Sequence, residues 1–289
     1  MANLKDIRIR INSVRTTRQV TSAMKMVSAA KLKKAQDDVE HVRPFVGKLL
    51  EVANFLGMSV DNVSERFAVF RVSQKGKVLI VPIASNKGLA GAFNSNVVKE
   101  TELLLKGRFA GQEVDVLPIG KQLTKGFASR GIAVVGNYND LLDNISIKSV
   151  SDVASQIASD FCSGKYREVH FVYNEFVNAA VQNVVTTQML PLSLLDDDKE
   201  CKYCDYIVEP DKATVLEAIV PQVINSKMYS IILESLASEH GARMTSMHKA
   251  TDNATELLRD LQLQYNKARQ AAITNELIEI VSGAEALNS

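Results

Sequence analysis

The feature that most constrains this chain is a pair of helical stretches, one at each end, both too long for an ordinary globular core. From Leu4 to about Leu56 there is no proline before Pro44 and no glycine before Gly47. Apolar or small residues recur at three-and-four spacing, first at Leu4, Ile7, Ile11 and Val14, then at Val20, Met24 and Val27. A third series runs through Ser28, Leu32, Ala35, Val39, Val42, Val46 and Leu49. The phase slips between Val14 and Val20 and again near Ser28, which predicts an irregular coiled coil with stutters. At 1.5 Å per residue such a helix is about 80 Å long. Pro44 lacks a donor N–H and is expected to kink the helix or mark a join.

The last third of the chain behaves likewise. After Pro210 and Asp211 a helical pattern runs to about Leu287, interrupted only at Pro221 and Gly241. Met244, Met247, Thr251, Ala254, Leu258, Leu261, Tyr265 and Ala268 form a heptad seam without slips. Each long helix lacks another partner of matching length, so an antiparallel pairing of the two is expected. The C-terminal helix is longer by roughly 20 residues, about 30 Å of helix, so part of it is expected to stand unpaired. Pattern alone does not say which end.

Between the helices the texture changes to βα alternation. Strands are expected at Val78–Ile83, Val114–Ile119, Ile132–Val135, Val169–Phe176 and Val184–Leu190. Helices are expected at Asn94–Leu105, Lys121–Arg130 and Val150–Cys162. This alternation predicts a mostly parallel sheet. The fold class expected is therefore α/β: a long antiparallel coiled coil of N- and C-terminal helices with an inserted Rossmann-like α/β domain. Its parts are a first helix over 1–57, a globular domain over 76–192 and a last helix over 211–289.

Charge adds a demand for a partner. The net charge of +1 conceals nine basic side chains against one acid, Asp6, in residues 1–36, or 9 − 1 = +8. Such an arm calls for an anionic surface: nucleic acid, lipid head groups or an acidic protein. An Arg-rich start also suits a transit peptide, but the helical pattern continues far past the basic region, so none is expected. The arm has no aromatic residue to stack on bases and no base-reading motif. Apolar runs are far too short to span a bilayer, and three cysteines in such a chain are no disulfide framework.

No segment reads as catalytic. The stretch Ser85–Phe93, with Gly88 and Gly91, follows a strand and precedes a helix, where a phosphate cradle would sit. It carries neither phosphate-binding glycine motif, so it reads as a tight βα turn in which the two glycines permit close packing. Cys201 and Cys204 have metal or redox spacing but lack two further zinc ligands. They read as incidental loop cysteines, with a redox pair as the alternative. His41, His170, His240 and His248 are scattered and read as structural or surface residues. No metal or cofactor is expected.

Several motifs nevertheless resemble one family. Thr21-x-Ala23-Met24-x-Met26-Val27, with Lys31 and Ala35-Gln36, is similar to the N-terminal helix of the ATP synthase gamma subunit family. Tyr265–Gln270, and Ile273-Thr274-x-Glu276-x-x-Glu279 followed by Gly283-Ala284, resemble its C-terminal signature. Glu239-His-x-Ala-Arg-Met244 and the turn at 88–94 fit as well, and the resemblance spans essentially the whole chain. It begins within the first few residues, which favours a bacterial protein. The turn departs in carrying Asn86-Lys87 where the family commonly has an Asp-Arg pair, so a polar contact there is in doubt.

The resemblance implies a rotating central shaft, coupling proton flow through a membrane rotor ring to ATP chemistry on catalytic beta subunits, with no catalytic site of its own. Implied partners are the alpha and beta subunits, the epsilon subunit and the c-ring, with no nucleic acid and only indirect membrane contact. The implied location is peripheral, at the cytoplasmic face of a bacterial plasma membrane. Coupling contacts are carried over to Met24, Lys25 and Lys31, and higher on the shaft to Arg269, Gln270, Thr274 and Glu276. The alternative reading is a nucleic-acid-binding coiled-coil protein with a basic N-terminal arm.

Overall fold

The computed structural model describes residues 4–73, 75–192 and 206–287. The chain order is α1 (Leu4–Ser59), α2 (Val63–Arg66), β1 (Lys77–Pro82), α3 (Phe93–Lys106), β2 (Val114–Val116), α4 (Lys121–Ala128), α5 (Ile147–Cys162), β3 (Tyr166–Phe176), β4 (Gln182–Leu190) and α6 (Lys212–Leu287). The chain divides into two compact units, Met1–Ser28 with Met244–Ser289, and Ala29–Arg243. No described helix is long and apolar enough to cross a membrane.

Helix α1 continues through Pro44, and α6 through Pro221 and Gly241, so none of these ends an element. A mid-helix proline removes one donor and crowds the preceding turn, and here the packing on either side outweighs that. The start of α6 is held by Asp211. Its Oδ1 accepts from the N–H of Ala213 and Thr214 at 3.0 Å each, which satisfies two otherwise orphan donors of the first turn.

The phase slips expected in α1 are absent. One continuous series of buried and half-buried positions runs 7, 11, 14, 18, 21, 25, 28, 32, 35, 39, 42, 46, 49, 53 and 56, in unbroken four-and-three alternation, with further half-buried residues such as Ser22, Met24 and Ala29 beside it. Arg18, Thr21 and Lys25 carry the seam through the stretch where apolar residues leave it, while Val20 and Val27 are exposed. The seam of α6 is as expected: Met247, Ala254, Leu258 and Leu261 are buried. In the first unit Ile7 and Ile11 pack with Leu258 and Leu261, flanked by Val14, Tyr265 and Ala268. Thr251 Oγ1 donates to Thr21 Oγ1 at 2.9 Å. Residue numbers rise on one helix as they fall on the other, so the pair is antiparallel. Beyond Ala268 every α6 position through Gly283 is exposed. The unpaired end is the C-terminal one.

The second unit holds a four-stranded sheet in the order β2-β1-β3-β4. β1 pairs in parallel with β2 and β3, and β4 closes the sheet antiparallel to β3. Alternation along β1 assigns its faces. Leu79 and Val81 enter a core with α5 and the first part of α6, whereas Val78 and Ile80 enter a second core with α3 and α4. Burial on both faces explains why β1 reads as one apolar run. Helix α5 begins with a capping box, Ser146 accepting from Ser149 N and Ser149 Oγ from Ser146 N, each at 3.1 Å.

The strand expected at Ile132–Val135 is not formed. One ladder bond remains, Val135 N to Val116 O at 3.0 Å, while Ile132 N is spent closing α4 on Phe127 O at 3.1 Å. The expected second strand is correspondingly short, ending at Val116. Beyond it Gly120, at φ 127°, brings the start of α4 against the end of β1.

Candidate functional site

The candidate site is the set of polar groups that tie helices α1 and α6 to the sheet, together with the positions carried over by resemblance. The βα turn at 85–93 is internally fixed. Asn94 Oδ1 accepts from Ser85 N at 3.0 Å and from Ser85 Oγ at 2.8 Å. Leu89 and Gly91 adopt positive φ, 63° and 59°. Asn86, where a polar contact was in doubt, is fully engaged: Nδ2 donates to Asp143 Oδ1 at 2.7 Å and Asn139 O at 2.9 Å, and Oδ1 accepts from Lys121 N at 3.0 Å.

Two carbonyls of this turn face a cation of the chain itself. The carbonyls of Lys87 and Gly88 accept from the buried guanidinium of Arg243 at 3.0 and 3.3 Å. The tight-turn reading holds, with one correction: a Cβ on Gly88 would meet nothing within 4 Å, so that glycine does not serve close packing. Arg243 also pairs with Glu239, one helical turn away, at 2.7 Å, with both side chains nearly buried. Burial pushes the Glu239 carboxyl up, against the opposing pull of Arg243, Lys31 and Lys87. A second buried acid, Glu234, meets Arg43 of α1 at 3.0 Å, and its carboxyl is likewise raised by burial.

His240 follows Glu239 on α6. Burial, followed by the charges of Arg243 and Lys31, pushes it down to about 4, and its Nδ1 has no partner. A base with a depressed folded-state value stabilises the fold above its unfolded value and loses that contribution as pH falls. Relative to a His240→Gln variant, the native chain should therefore lose up to about 3 kcal/mol between pH 6.5 and 4. Urea unfolding of both chains at the two pH values checks this. Among the other histidines, His41 and His248 are exposed, and His170 is fully buried with Nε2 2.8 Å from Glu168.

The positions carried over by resemblance fall in two places. Met24 and Lys25 are half-buried in the first unit and Lys31 is exposed on α1. Arg269, Gln270, Thr274 and Glu276 are all exposed on the unpaired stretch of α6, where Thr274 Oγ1 donates to Gln270 O at 2.9 Å. Cys201 and Cys204 lie outside the described residues. Sequence reasoning passed over Arg43 and Glu234; Glu234 is a charge inside an apolar stretch of α6, while Arg43 lies beside the α1 seam and is exposed. It quoted Glu239 and Arg243 without giving them a role, although their spacing of four residues is an ion-pair signature.

A family model described as ATP synthase matches residues 3–287. The ATP synthase gamma chain of Flavobacterium johnsoniae is 49% identical over all of both chains, and that of Geobacter metallireducens 41% over 99% of each. The chain belongs to the ATP synthase gamma chain family. Among solved structures it is similar to a chain of the Tetrahymena thermophila mitochondrial ATP synthase central stalk and c-ring, at 28% identity and a TM-score of 0.56, covering 80% of this chain and 99% of that one. A chain of the Euglena gracilis mitochondrial ATP synthase OSCP/F1/c-ring structure matches at a TM-score of 0.69, covering 98% and 94%. At 19% identity that likeness concerns the fold. These gamma chains and stalk structures lend no support to the nucleic-acid reading.

Proposed function

We propose that this chain is the central rotating shaft of a proton-translocating F-type ATP synthase, a non-catalytic subunit that couples rotation of a membrane ring to ATP synthesis and hydrolysis on beta subunits and so regulates ATPase activity. The observation that carries this reading is full-length identity of 49% to a named gamma chain. A helix pair with one exposed end suits an element that enters a ring of other subunits. The partners proposed are alpha, beta and epsilon subunits and the c-ring, and the place is peripheral, at the cytoplasmic face of a bacterial plasma membrane. Coupling contacts are assigned to Met24, Lys25 and Lys31 and to Arg269, Gln270, Thr274 and Glu276. The +8 charge of residues 1–36 suits acidic loops on the catalytic subunits.

The test is reconstitution. The purified chain alone is expected to hydrolyse no ATP. Added to alpha and beta subunits, it should yield an active ATPase containing it at substoichiometric copy, and in vesicles carrying the membrane sector it should restore ATP-driven proton pumping. Hydrolysis by the chain alone, or no incorporation into the complex, overturns the reading.

A further inference from the structure

We propose that the β3–β4 hairpin and the turn after β1 grip α1 and α6 through backbone contacts, with Gly241 and Arg43 as the positioning residues that pass torque between sheet and helices. The proposal rests on the rotor reading. Apolar faces attract without direction, and packed helices shear past one another by small sliding motions. A twisting load on a helix is resisted by contacts that are directional or interlocked. The structure contains both kinds within about two turns of α6, at Glu234 and Gly241.

The interlock is at Gly241. A Cβ there would lie 3.3 Å from both Cα and O of Ala179, at the hairpin tip. A helix-interior glycine is unfavourable relative to alanine, and here its missing side chain is the notch that the tip occupies. The tip is stiff in its own right. Asn178 Oδ1 accepts from Ala180 N and Val181 N at 2.9 and 2.8 Å, and Gln182 Nε2 donates to Ala179 O at 3.1 Å. The directional contact is Arg43. Its Nε meets Glu234 of α6 at 3.0 Å while its Nη2 donates to Phe176 O at 3.3 Å. One planar guanidinium thus ties α1, α6 and the end of β3 beside the hairpin turn, a geometry that a lysine cannot reproduce. Half a helical turn past Gly241, Arg243 holds the other loop by two carbonyls.

The experiment uses the assembled membrane complex and reads two quantities, the amount of assembled ATPase and the protons pumped per ATP hydrolysed. Gly241→Val is expected to bring the pumping ratio to about half or less while the amount assembled stays near native. Gly241→Ala should do so more mildly and be relieved by Ala179→Gly, which frees the hairpin backbone to give way. Arg43→Lys should also lower the ratio, and it decides the matter if Gly241→Val fails to assemble. A native ratio in Arg43→Lys and in whichever glycine variants assemble, or losses that follow the amount assembled, overturns the grip. Failure of the native chain itself to restore pumping would instead sink the rotor reading.

Discussion

Gly120→Ala is expected to leave little folded chain, with a loss of about 3–5 kcal/mol from backbone strain and overpacking together. Gly120 sits at φ 127° and ψ 129°, a conformation closed to residues with a side chain. The added Cβ would also meet Ala84 C at 2.8 Å and come closer still to Ala84 O, with Ser85 O at 3.2 Å. These are backbone atoms of the segment that leaves β1, and neither can rotate aside. Displacing them would disturb Ala84 N to Ile119 O at 3.0 Å, a bond that joins the two βα connections. A domain stable by 5–15 kcal/mol loses a large share of that margin. Thermal unfolding and soluble yield measure the effect.

Two controls give the result its meaning. Gly88→Ala meets open space and should change stability by no more than about 0.5 kcal/mol. Gly47→Ala, exposed inside α1 with nothing within 4 Å, should stabilise by about 0.4–1 kcal/mol in the isolated chain. A Gly120→Ala chain as stable as Gly88→Ala would mean that the end of β1 relaxes freely, contrary to its full burial.

Nothing in the sequence singles out Gly120 among its neighbours, because its requirement comes from a backbone atom of Ala84 thirty-six positions earlier. The same limit explains the other misses. The α6 seam was legible because its positions are apolar or small throughout. The α1 seam was not, because Arg18, Thr21 and Lys25 occupy it and apolarity then points to Val20 and Val27, which are exposed. Strict spacing extrapolated from Ile7, Ile11 and Val14 would have found it. β1 was legible because both its faces are buried. The run at Ile132–Val135 has the same texture but is bounded by Gly131 and Gly136 and finds a single partner bond, so local pattern overstated it. Arg243 and Glu239 could be paired from their spacing. That Arg243 also holds carbonyls 155 and 156 positions away could not.

Arg243→Ala is expected to destabilise the folded chain by about 3–5 kcal/mol near pH 8, since removing one partner of a buried pair leaves an uncompensated charge. The stranded group is Glu239, 2.7 Å from Arg243 in the native chain with 12% of its side chain exposed. Burial already raises its carboxyl, and Arg243 opposes that more strongly than Lys31 or Lys87. Without the guanidinium the carboxyl should rise further. The sign of the pH dependence follows. A carboxyl raised in the folded state binds its proton more tightly there than when unfolded, so the fold gains stability as pH falls through the raised value. The deficit of Arg243→Ala should therefore shrink on acidification, opposite to the trend assigned to His240. The same substitution breaks the hydrogen bonds to the Lys87 and Gly88 carbonyls, whose oxygens do not titrate, so that part of the deficit should persist at every pH. Adding Glu239→Gln separates the two: the double variant should recover much of the loss near pH 8 and show a flatter pH profile. Urea unfolding of the native chain, the single variant and the double variant from pH 8 to 5 reads this directly. A deficit that is constant with pH and unrelieved by Glu239→Gln would mean that Arg243 acts through the turn carbonyls alone.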